Sequence, residues 1–261
     1  MVALLCACST AAFTGRQQVL LYSDTEISAL ADDSYASFMD TTKLSANTAT
    51  TKLVQTVGQK MAVGLAAYLQ GMGKTEYLNG LSWEFKLVAD QAVNAFCLPN
   101  GKIILYDGIM KYANNPTYVA VVIGHEMGHA IARHGNERMS EQAMIEGVGN
   151  VARQVLAGTQ MGKSQTKMEV FDKAFAIGSN VGLLLPFSRK QEYEADEIGL
   201  YIMALAGYDV YQTPTFWSNM TGANQSSSFD FLSTHPADAK RIAAISEKLD
   251  VAATFYRESK E

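Results

Sequence analysis

The sequence predicts an α+β fold in which helices dominate and a small antiparallel sheet lies beside one apolar helix. Residues 83–106 have strand-like composition, whereas most of the remaining chain has apolar residues at helical spacing. The stretch "VAVVIGHEMGHAIARHG", residues 119–135, has the pattern of a buried helix although it contains histidines and a glutamate. With 261 residues, of which 48% are hydrophobic, the chain is long enough to bury one sizeable core.

The first half is predicted to hold helical segments followed by the sheet. Residues 24–78 have helical spacing, with a break rich in Thr, Ser and Ala near 41–51. The stretches "WEFKLVAD" (83–90) and "KIILYD" (102–107) are then predicted to be two paired strands. They flank "NAFCLPNG" (94–101), whose Pro-Asn-Gly sequence predicts a turn.

The second half is predicted to be helical throughout. The predicted helices cover 117–134, 138–159, 166–184, 189–206 and about 236–258. No internal repeat and no linker divides the chain. We therefore expect one domain over 24–261, preceded by a tail over 1–23.

The charge of the chain argues against one class of partner. Its formal net charge is -5, its pI is about 5.4, and no run of lysines or arginines occurs. Such a chain is not suited to neutralise a phosphate backbone, so no nucleic-acid binding is expected. Cys6, Cys8 and Cys97 are also spaced wrongly for a zinc ribbon.

The first residues, "MVALLCACSTAAF", resemble a bacterial lipobox. In this reading a small residue precedes Cys8, which is lipidated and becomes an acyl anchor. The stretch departs from a secretory signal because its first basic residue is Arg16, and a disordered tail without an anchor is the alternative. It is too short to span a membrane. The apolar stretch 174–187 contains Ser, Asn and Pro and is predicted to be a core or interfacial helix.

The apolar helix carries a metal-binding pattern. His125 and His129 are four residues apart, which on a helix places both imidazoles on one face about 6 Å apart. Glu126 lies about 100° from His125 round the helix, where it flanks a metal without having to bind it. This H-E-x-x-H arrangement is that of zinc hydrolases. His134 lies about 140° from His129 and is interpreted as a helix-end residue.

A third metal ligand is expected from "SRKQEYEADEIGLY", residues 188–201. Hydrolytic zinc keeps three protein ligands and leaves the fourth position to water. Glu192 and Asp196 share a helix face at spacing i, i+4, so one is able to bind the metal while the other orients a histidine. The orienting role suits Asp196. Glu194, about 160° from Glu192 round the helix, is the less favoured ligand.

These motifs resemble a zinc metallopeptidase family, metallopeptidase family forty-eight, which includes the CAAX prenyl protease and the HtpX-type and Oma-type peptidases. The resemblance rests on "NAFCLPNGKIILYDGI", "GHEMGHAIARH", "SRKQEYEADEIG" and "STHPADAKRI", in this order over 94–242. It implies a gluzincin-type domain with a catalytic core over about 80–245, and it favours Glu192 as third ligand. It also implies that His235 faces the metal and that Asn94 contacts the substrate backbone. Within the family, the short single-domain form with a lipobox resembles the bacterial periplasmic lipoproteins.

The site predicts metal-assisted hydrolysis of a peptide bond. A zinc ion held by His125, His129 and Glu192 would polarise the scissile carbonyl and lower the pKa of a bound water. Glu126 would take the proton of this water and return it to the leaving amine. Two imidazoles with one carboxylate suit zinc, although the site alone does not exclude manganese or cobalt.

The tetrahedral oxyanion of the reaction requires a second positive or donor group besides zinc. His235 and Arg241 are the candidates. His235 has an alternative role, because a neutral imidazole in the fourth ligand position of zinc would keep the enzyme inactive. The sequence leaves these two roles open.

The expected substrates are unfolded or misassembled polypeptides. "KIILY", residues 102–106, is predicted to be an exposed sheet edge to which an extended chain adds through backbone hydrogen bonds. Together with the lipid anchor at Cys8, this predicts a protease of protein quality control on the periplasmic side of the bacterial cell envelope. The alternative is a latent zinc-binding chaperone or assembly scaffold for outer-membrane proteins, which would tolerate Glu126→Gln. Cys97 is assigned no role.

Overall fold

A computed structural model describes residues 8–157, 187–222 and 230–258 of the chain. The predicted helix over 166–184 lies outside these ranges. The described strands are β1 (Cys8–Thr10), β2 (Gln17–Val19), β3 (Glu84–Val88), β4 (Ala95–Cys97) and β5 (Lys102–Tyr106). The described helices are α1 (Asp24–Thr41), α2 (Thr48–Gly71), α3 (Pro116–Ile131), α4 (His134–Ala157), α5 (Arg189–Leu205), α6 (Thr213–Gly222), α7 (Asp230–Thr234) and α8 (Ala239–Glu258).

Local side-chain caps determine where the first helices begin. Ser23 and Glu26 form a reciprocal capping box at the start of α1. The Asn47 side chain caps α2, and the Asn115 side chain caps α3, whose first residue is Pro116. Because caps depend on residues within one turn, these helix starts lie close to the predicted ones.

The three-stranded sheet differs from the predicted one in its pairing. β3 pairs with β5 in parallel and β4 pairs with β5 antiparallel, so the order across the sheet is β3-β5-β4. The sheet is therefore mixed, not purely antiparallel. β5 is its central strand, which means that the prediction of an exposed edge at 102–106 is wrong.

The turn before β5 explains this difference. The backbone N–H of Gly101 donates to the carbonyl of Leu98, and Gly101 has a φ of 85°, which glycine adopts without steric cost. This tight turn joins β4 to β5 as a hairpin. The other side of β5 pairs with β3, which precedes β4 in the chain and runs parallel to β5. β4 is therefore an edge of the sheet.

Helices α3 and α5 pack against each other at the centre of the molecule. Every residue of α3 from Val119 to Ile131 is buried. Small residues let the two backbones approach closely: a Cβ atom on Gly128 would lie 2.4 Å from the carbonyl oxygen of Ala195, and one on Gly199 would lie 2.8 Å from the backbone of Gly124. This close approach brings the histidine face of α3 against the acidic face of α5.

Residues of the N-terminal segment that precedes α1 pack on the core. β1 and β2 form an antiparallel hairpin, and Ala11 and Ala12 in its turn are buried in the main hydrophobic core. The ring of Phe13 stacks on Tyr68 at 6.0 Å and packs against Tyr201 at 5.9 Å. The hairpin is therefore part of the same packed unit as the helices.

The α+β class with dominant helices is confirmed. Helices α3, α4, α5 and α8 begin within about four residues of their predicted starts. Across the described ranges, the helices lack a stretch that is both long and apolar enough to span a membrane.

Candidate metal centre

The close packing of α3 on α5 brings two imidazoles and one carboxylate together. The Nε2 atoms of His125 and His129 lie 3.1 Å apart. The carboxylate oxygens of Glu192 lie 3.5 Å from Nε2 of His125 and 3.3 Å from Nε2 of His129. All three side chains are buried, with at most 4% of each exposed. The structure thus brings together the three residues that the sequence pointed to as metal ligands.

These donor atoms have the spacing of a tetrahedral metal site. Ligand bonds of about 2.0–2.1 Å to zinc separate neighbouring ligand atoms by about 3.3 Å. Nδ1 of His125 lies 2.9 Å from Oδ1 of Asp196, so the ring donates that N–H to the carboxylate and directs a lone pair from Nε2 towards Glu192. In the neutral ring that metal binding requires, this lone pair and the other acceptors of the buried site face one another and repel unless a cation lies between them. The residues present therefore fit a zinc ion.

His235 supplies a fourth donor to the same cluster. Its Nδ1 atom lies 3.1 Å from Nε2 of His125 and 3.0 Å from Oε1 of Glu192. One ligand atom from each of His125, His129, Glu192 and His235 lies within 4.8 Å of the others. His235 directly follows α7 and is itself buried, so in this conformation it stands where the fourth ligand of a tetrahedral site would stand.

Glu126 lies beside the cluster and outside it. Its side chain is 2% exposed, and its Oε1 atom lies 3.6 Å from Nε2 of His235. Among the described residues, this Oε1 atom has no hydrogen-bond partner. A buried carboxylate oxygen without a donor is unusual, because burial without a hydrogen bond is costly. The carboxylate is thus available to a water or a substrate atom.

Arg241 holds the carboxylates of α5 in place. Its Nε and Nη2 atoms donate to the two oxygens of Asp196 at 2.6 and 2.9 Å, and its Nη1 atom lies 2.7 Å from Oε2 of Glu192. Its guanidinium stacks on the ring of Trp217 at 4.1 Å. The N–H groups of Arg241 thus face the carboxylates of Asp196 and Glu192 and the backbone carbonyl of His235. This arrangement favours a positioning role for Arg241 over a contact with the oxyanion.

The charges of the cluster compensate one another. Burial and Arg241 disfavour the charged imidazole of His125, yet the carboxylates of Glu192 and Asp196 outweigh them and raise its pKa to about 9 in the metal-free site, so a metal has to displace a proton from this ring. Burial would raise the pKa of Glu192 and of Asp196, but Arg241 lowers both, together with the neighbouring imidazoles. Both carboxylates are therefore ionised at neutral pH, as metal binding requires.

His134 has a role that the sequence did not indicate. It begins α4 instead of ending α3, and its Nδ1 atom lies 2.9 Å from Nδ1 of His129. Its Nε2 atom lies 2.9 Å from Oε2 of Glu194. Its interpretation as a helix-end residue was wrong because the angle was calculated for one continuous helix, whereas α3 ends at Ile131 and Arg133 turns the chain with a φ of 57°.

Phe187 is a second neighbour of the cluster that sequence reasoning missed. Its ring stacks on His129 at 3.9 Å and on His235 at 5.4 Å. Its backbone N–H donates to the carbonyl of Thr234 at 3.3 Å, which ties the start of α5 to the His235 loop. A single aromatic residue before a helix carries no sequence signal for such a contact.

Asn94, Cys97 and Cys8 lie outside the cluster of donor atoms. Asn94 is buried directly before β4, and its side-chain oxygen accepts a hydrogen bond from the backbone N–H of Ala95 at 2.9 Å. Cys97 lies in β4, where burial and the negative charge of Glu126 raise the pKa of its thiol. Cys8 is the first described residue and pairs with Val19 across the hairpin.

Comparisons with known proteins point to one family. A family model described as Peptidase family M48 matches residues 48–249. The chain is 38% identical over 186 residues to the "Mitochondrial metalloendopeptidase OMA1" of Arabidopsis thaliana, covering 70% of this chain and 36% of that protein. It is 33% identical over 174 residues to the protein of the same name from Schizosaccharomyces pombe, covering 66% of this chain and 48% of the relative.

A bacterial relative is also similar. The chain is 28% identical over 214 residues to the "Beta-barrel assembly-enhancing protease" of Escherichia coli K12. That match covers 72% of this chain and 43% of the relative. The chain therefore spans about half or less of the length of these three relatives.

Proposed function

Because this chain belongs to peptidase family M48, we propose that it is a zinc-dependent endopeptidase that cleaves unfolded or misassembled polypeptides. The observation that carries the proposal is a buried set of two imidazoles and a carboxylate, with the uncommitted carboxylate of Glu126 beside it. The names of the relatives, a metalloendopeptidase and an assembly-enhancing protease, support a role in protein quality control.

His125, His129 and Glu192 would hold the zinc ion. When bound, zinc supplies a Lewis acid that polarises the scissile carbonyl. Asp196 keeps His125 in the tautomer that presents Nε2, and Arg241 keeps both carboxylates ionised and oriented. The protein thus contributes a preformed set of donors whose geometry does not have to change on binding.

Glu126 acts as the general base and then as the general acid. Its free oxygen accepts a proton from the attacking water and delivers it to the amine of the departing peptide. Because both proton transfers occur on the same side of the scissile bond, a single carboxylate performs both.

Of the two roles that the sequence left open for His235, we propose that of a restraining ligand. In the described conformation its Nδ1 atom would be a fourth ligand to a metal held by the other three residues, and it would then exclude a substrate carbonyl. If the loop that follows α7 moved away, the fourth ligand position would be free for a water or a substrate carbonyl. We therefore propose that this conformation is latent.

The substrate would add to β4. This strand is an edge of the sheet and packs against α3, so an extended chain that pairs with it passes over the helix that carries Glu126. Recognition through backbone hydrogen bonds gives broad specificity for unfolded chains. Peptides whose amide nitrogens are methylated at alternate positions would be cleaved more slowly than the unmodified peptide, and equal rates would contradict this binding mode.

We further propose attachment to a bacterial membrane through an acyl chain on Cys8. The lipobox-like residues before Cys8 support it, and one relative, named for β-barrel assembly, is bacterial. In a bacterial host, labelled palmitate would be incorporated into the wild-type chain and not into Cys8→Ser. Equal labelling of both chains would contradict the anchor.

Cleavage of casein by the full chain with stoichiometric zinc tests the enzymatic function. Glu126→Gln should lower the cleavage rate by about 100- to 10,000-fold, because it removes the base, and should leave the zinc content unchanged. Glu197→Gln is the matched control, since Glu197 also lies in a helix but contacts Tyr201 and Lys248 away from the metal. It should cleave at the wild-type rate.

The same assay distinguishes a second function. The four-donor cluster with His235 favours a protein whose peptidase activity is latent. A zinc-binding assembly scaffold would have this cluster and no peptidase activity under any condition. His235→Ala should raise casein cleavage if the protein is a restrained peptidase. If the wild type and His235→Ala both bind zinc and neither cleaves any unfolded protein, the scaffold function replaces the peptidase function.

A further inference from the structure

The N-terminal hairpin places an arginine against two buried carboxylates. Arg16, directly before β2, donates from Nε to Oε2 of Glu194 at 2.5 Å. Its Nη1 and Nη2 atoms donate to the two oxygens of Glu137 at 2.5 and 2.7 Å. The hydroxyl of Thr14 also donates to Oε1 of Glu194. The hairpin turn therefore binds both oxygens of Glu194.

A chain of hydrogen bonds leads from Glu194 to the metal cluster. Because the carboxylate of Glu194 only accepts, the nitrogen of His134 that faces it carries the proton. In the neutral ring the other nitrogen, Nδ1, then accepts, so Nδ1 of His129 must donate to it. His129 is thereby fixed in the tautomer whose Nε2 lone pair points at the metal cluster.

The two metal-binding imidazoles are thus oriented by different means. His125 donates directly to Asp196, which is a carboxylate of α5 held by Arg241 of α8. His129 donates to His134, and the carboxylate behind it is Glu194, held by Arg16. An arginine lies at the outer end of each path, and Arg16 is supplied by a segment that precedes α1.

A second contact makes the position of Arg16 well defined. Glu137 of α4 accepts from the side-chain amide of Gln191 in α5 at 2.8 Å, so Arg16 bridges α4 and α5 at the point where both approach His134. The side chains of Arg16, Glu137 and Glu194 are 13%, 8% and 5% exposed, respectively. Ion pairs with so little solvent contact restrict the geometry of their partners more than exposed pairs do.

We propose that Arg16 is a positioning residue for the metal ligand His129 and acts through Glu194 and His134, which makes the N-terminal hairpin a part of the metal centre. This inference rests on the proposed function, since it concerns the same zinc ligands. Its consequence is that displacement of the hairpin from Glu194 weakens zinc binding without touching a ligand. Cys8 begins the same hairpin, so an attachment there lies close to this contact along the chain.

The test is zinc affinity of the full chain, measured by competition with a chelating indicator. Arg16→Gln and Glu194→Gln should each weaken zinc binding by about 10- to 100-fold, the range found when a ligand-orienting partner is lost. Arg16→Lys should recover part of the affinity, because it keeps the charge and loses the two-pronged contact. Thr14→Val removes one donor to Glu194 with little effect on packing. This variant replaces Arg16→Gln in the zinc-affinity test if Arg16→Gln does not fold.

Lys102→Gln is the matched control. The side chain of Lys102 is 13% exposed, as is that of Arg16, and it lies 3.6 Å from a carboxylate oxygen of Glu84 in the neighbouring strand. This ion pair belongs to the sheet and not to the histidine cluster, so the variant should leave zinc affinity within about twofold of the wild type.

Spectroscopy distinguishes a change in the orientation of the His129 ring from a general loss of stability. The visible absorption of the cobalt-substituted protein depends on ligand geometry and should change in Arg16→Gln and Glu194→Gln. Long-range proton–nitrogen spectra of the histidine rings should show that His129 loses its single Nδ1–H tautomer in the metal-free variants. A lower melting temperature with unchanged zinc affinity, cobalt spectrum and tautomer would overturn the inference.

Failure of the inference and failure of the proposed function give different results. If the wild type binds zinc and cleaves casein while the Arg16 and Glu194 variants bind zinc equally well, the inference alone fails. If the wild type binds zinc and cleaves nothing, but these variants lose affinity as expected, the positioning role stands and the peptidase function fails. A wild type that does not bind zinc overturns both.

Discussion

At the scale of single residues, the site depends on buried charges that satisfy one another. Glu192 and Asp196 are ionised inside the protein because Arg241 contacts both of them. A buried ion pair is not a large source of stability by itself, since removing charges from water is costly. Loss of one member is nevertheless severe, because it leaves the other charges buried without compensation.

Arg241→Gln should therefore be strongly destabilising. We expect the free energy of unfolding to fall by about 3–5 kcal/mol, because two carboxylates lose their buried cation. Urea unfolding of the metal-free protein measures this change without interference from zinc. The control is Arg189→Gln, since Arg189 forms a comparable ion pair with Asp238 at 2.8 Å but is 70% exposed, and its loss should cost less than about 1 kcal/mol. Equal losses in the two variants would show that burial does not determine the role of Arg241.

At the scale of elements, the distance between α3 and α5 determines whether the ligands meet. The two histidines belong to α3 and the glutamate belongs to α5, so the cluster exists only at the observed separation of the helices. Gly128 directly precedes His129 in the chain and faces the backbone of Ala195. A larger residue at position 128 would push the two helices apart. It would thereby disturb the metal centre without replacing a ligand.

Gly128→Ala should weaken zinc binding and lower the melting temperature together. Its Cβ would lie 2.4 Å from the carbonyl oxygen of Ala195, which is backbone and has little freedom to move, so α5 must shift away from α3. Overpacking of this kind costs about 1–3 kcal/mol. Calorimetry and zinc titration of the same sample measure both effects.

Gly71→Ala is the control for that substitution. Gly71 ends α2, and a Cβ built on it meets no atom within 4 Å. The exchange also favours a helix, so stability should be equal or slightly higher and zinc affinity unchanged. If Gly128→Ala retained wild-type zinc affinity, helix separation would not control the site.

At the scale of the whole molecule, the cluster joins distant parts of the chain. Its donors come from α3, α5 and the segment after α7, and its supporting residues come from α4, α8 and the N-terminal hairpin. A ligand that binds the folded state and not the unfolded chain stabilises it in proportion to its binding. Zinc should therefore stabilise the protein as a whole and not one helix of it.

Removal of zinc should lower the melting temperature of the entire domain in one transition. At a free zinc concentration of 100 times Kd, the lost stabilisation is about 2.7 kcal/mol. Differential scanning calorimetry with and without a chelator measures it. Glu126→Gln should show the same shift, since Glu126 is not a ligand, whereas His129→Ala should show little. A chelator that left the wild-type transition unchanged would contradict a zinc site at this cluster.

Some features of this protein depend on interactions within one or two helical turns, and the sequence by itself determined them. His125 and His129 share a helix face because of the geometry of 3.6 residues per turn, and so do Glu192 and Asp196. The caps at Ser23, Asn47 and Asn115 similarly act on the backbone directly beside them. These local rules, with the composition, predicted the α+β class and the two histidines of the site, whereas the resemblance to the family favoured Glu192 as third ligand and placed His235 at the metal.

Other features depend on which distant segments pack together, and only the tertiary structure decided them. The turn after Ile131 sends His134 back onto His129, and the hairpin of β4 and β5 places β5 in the centre of the sheet. Arg16, more than 170 positions before Glu194, meets it only because the hairpin turn is buried in the core. Helical spacing cannot predict such contacts, because packing across the core, and not the conformation of neighbouring residues, determines which side chains meet.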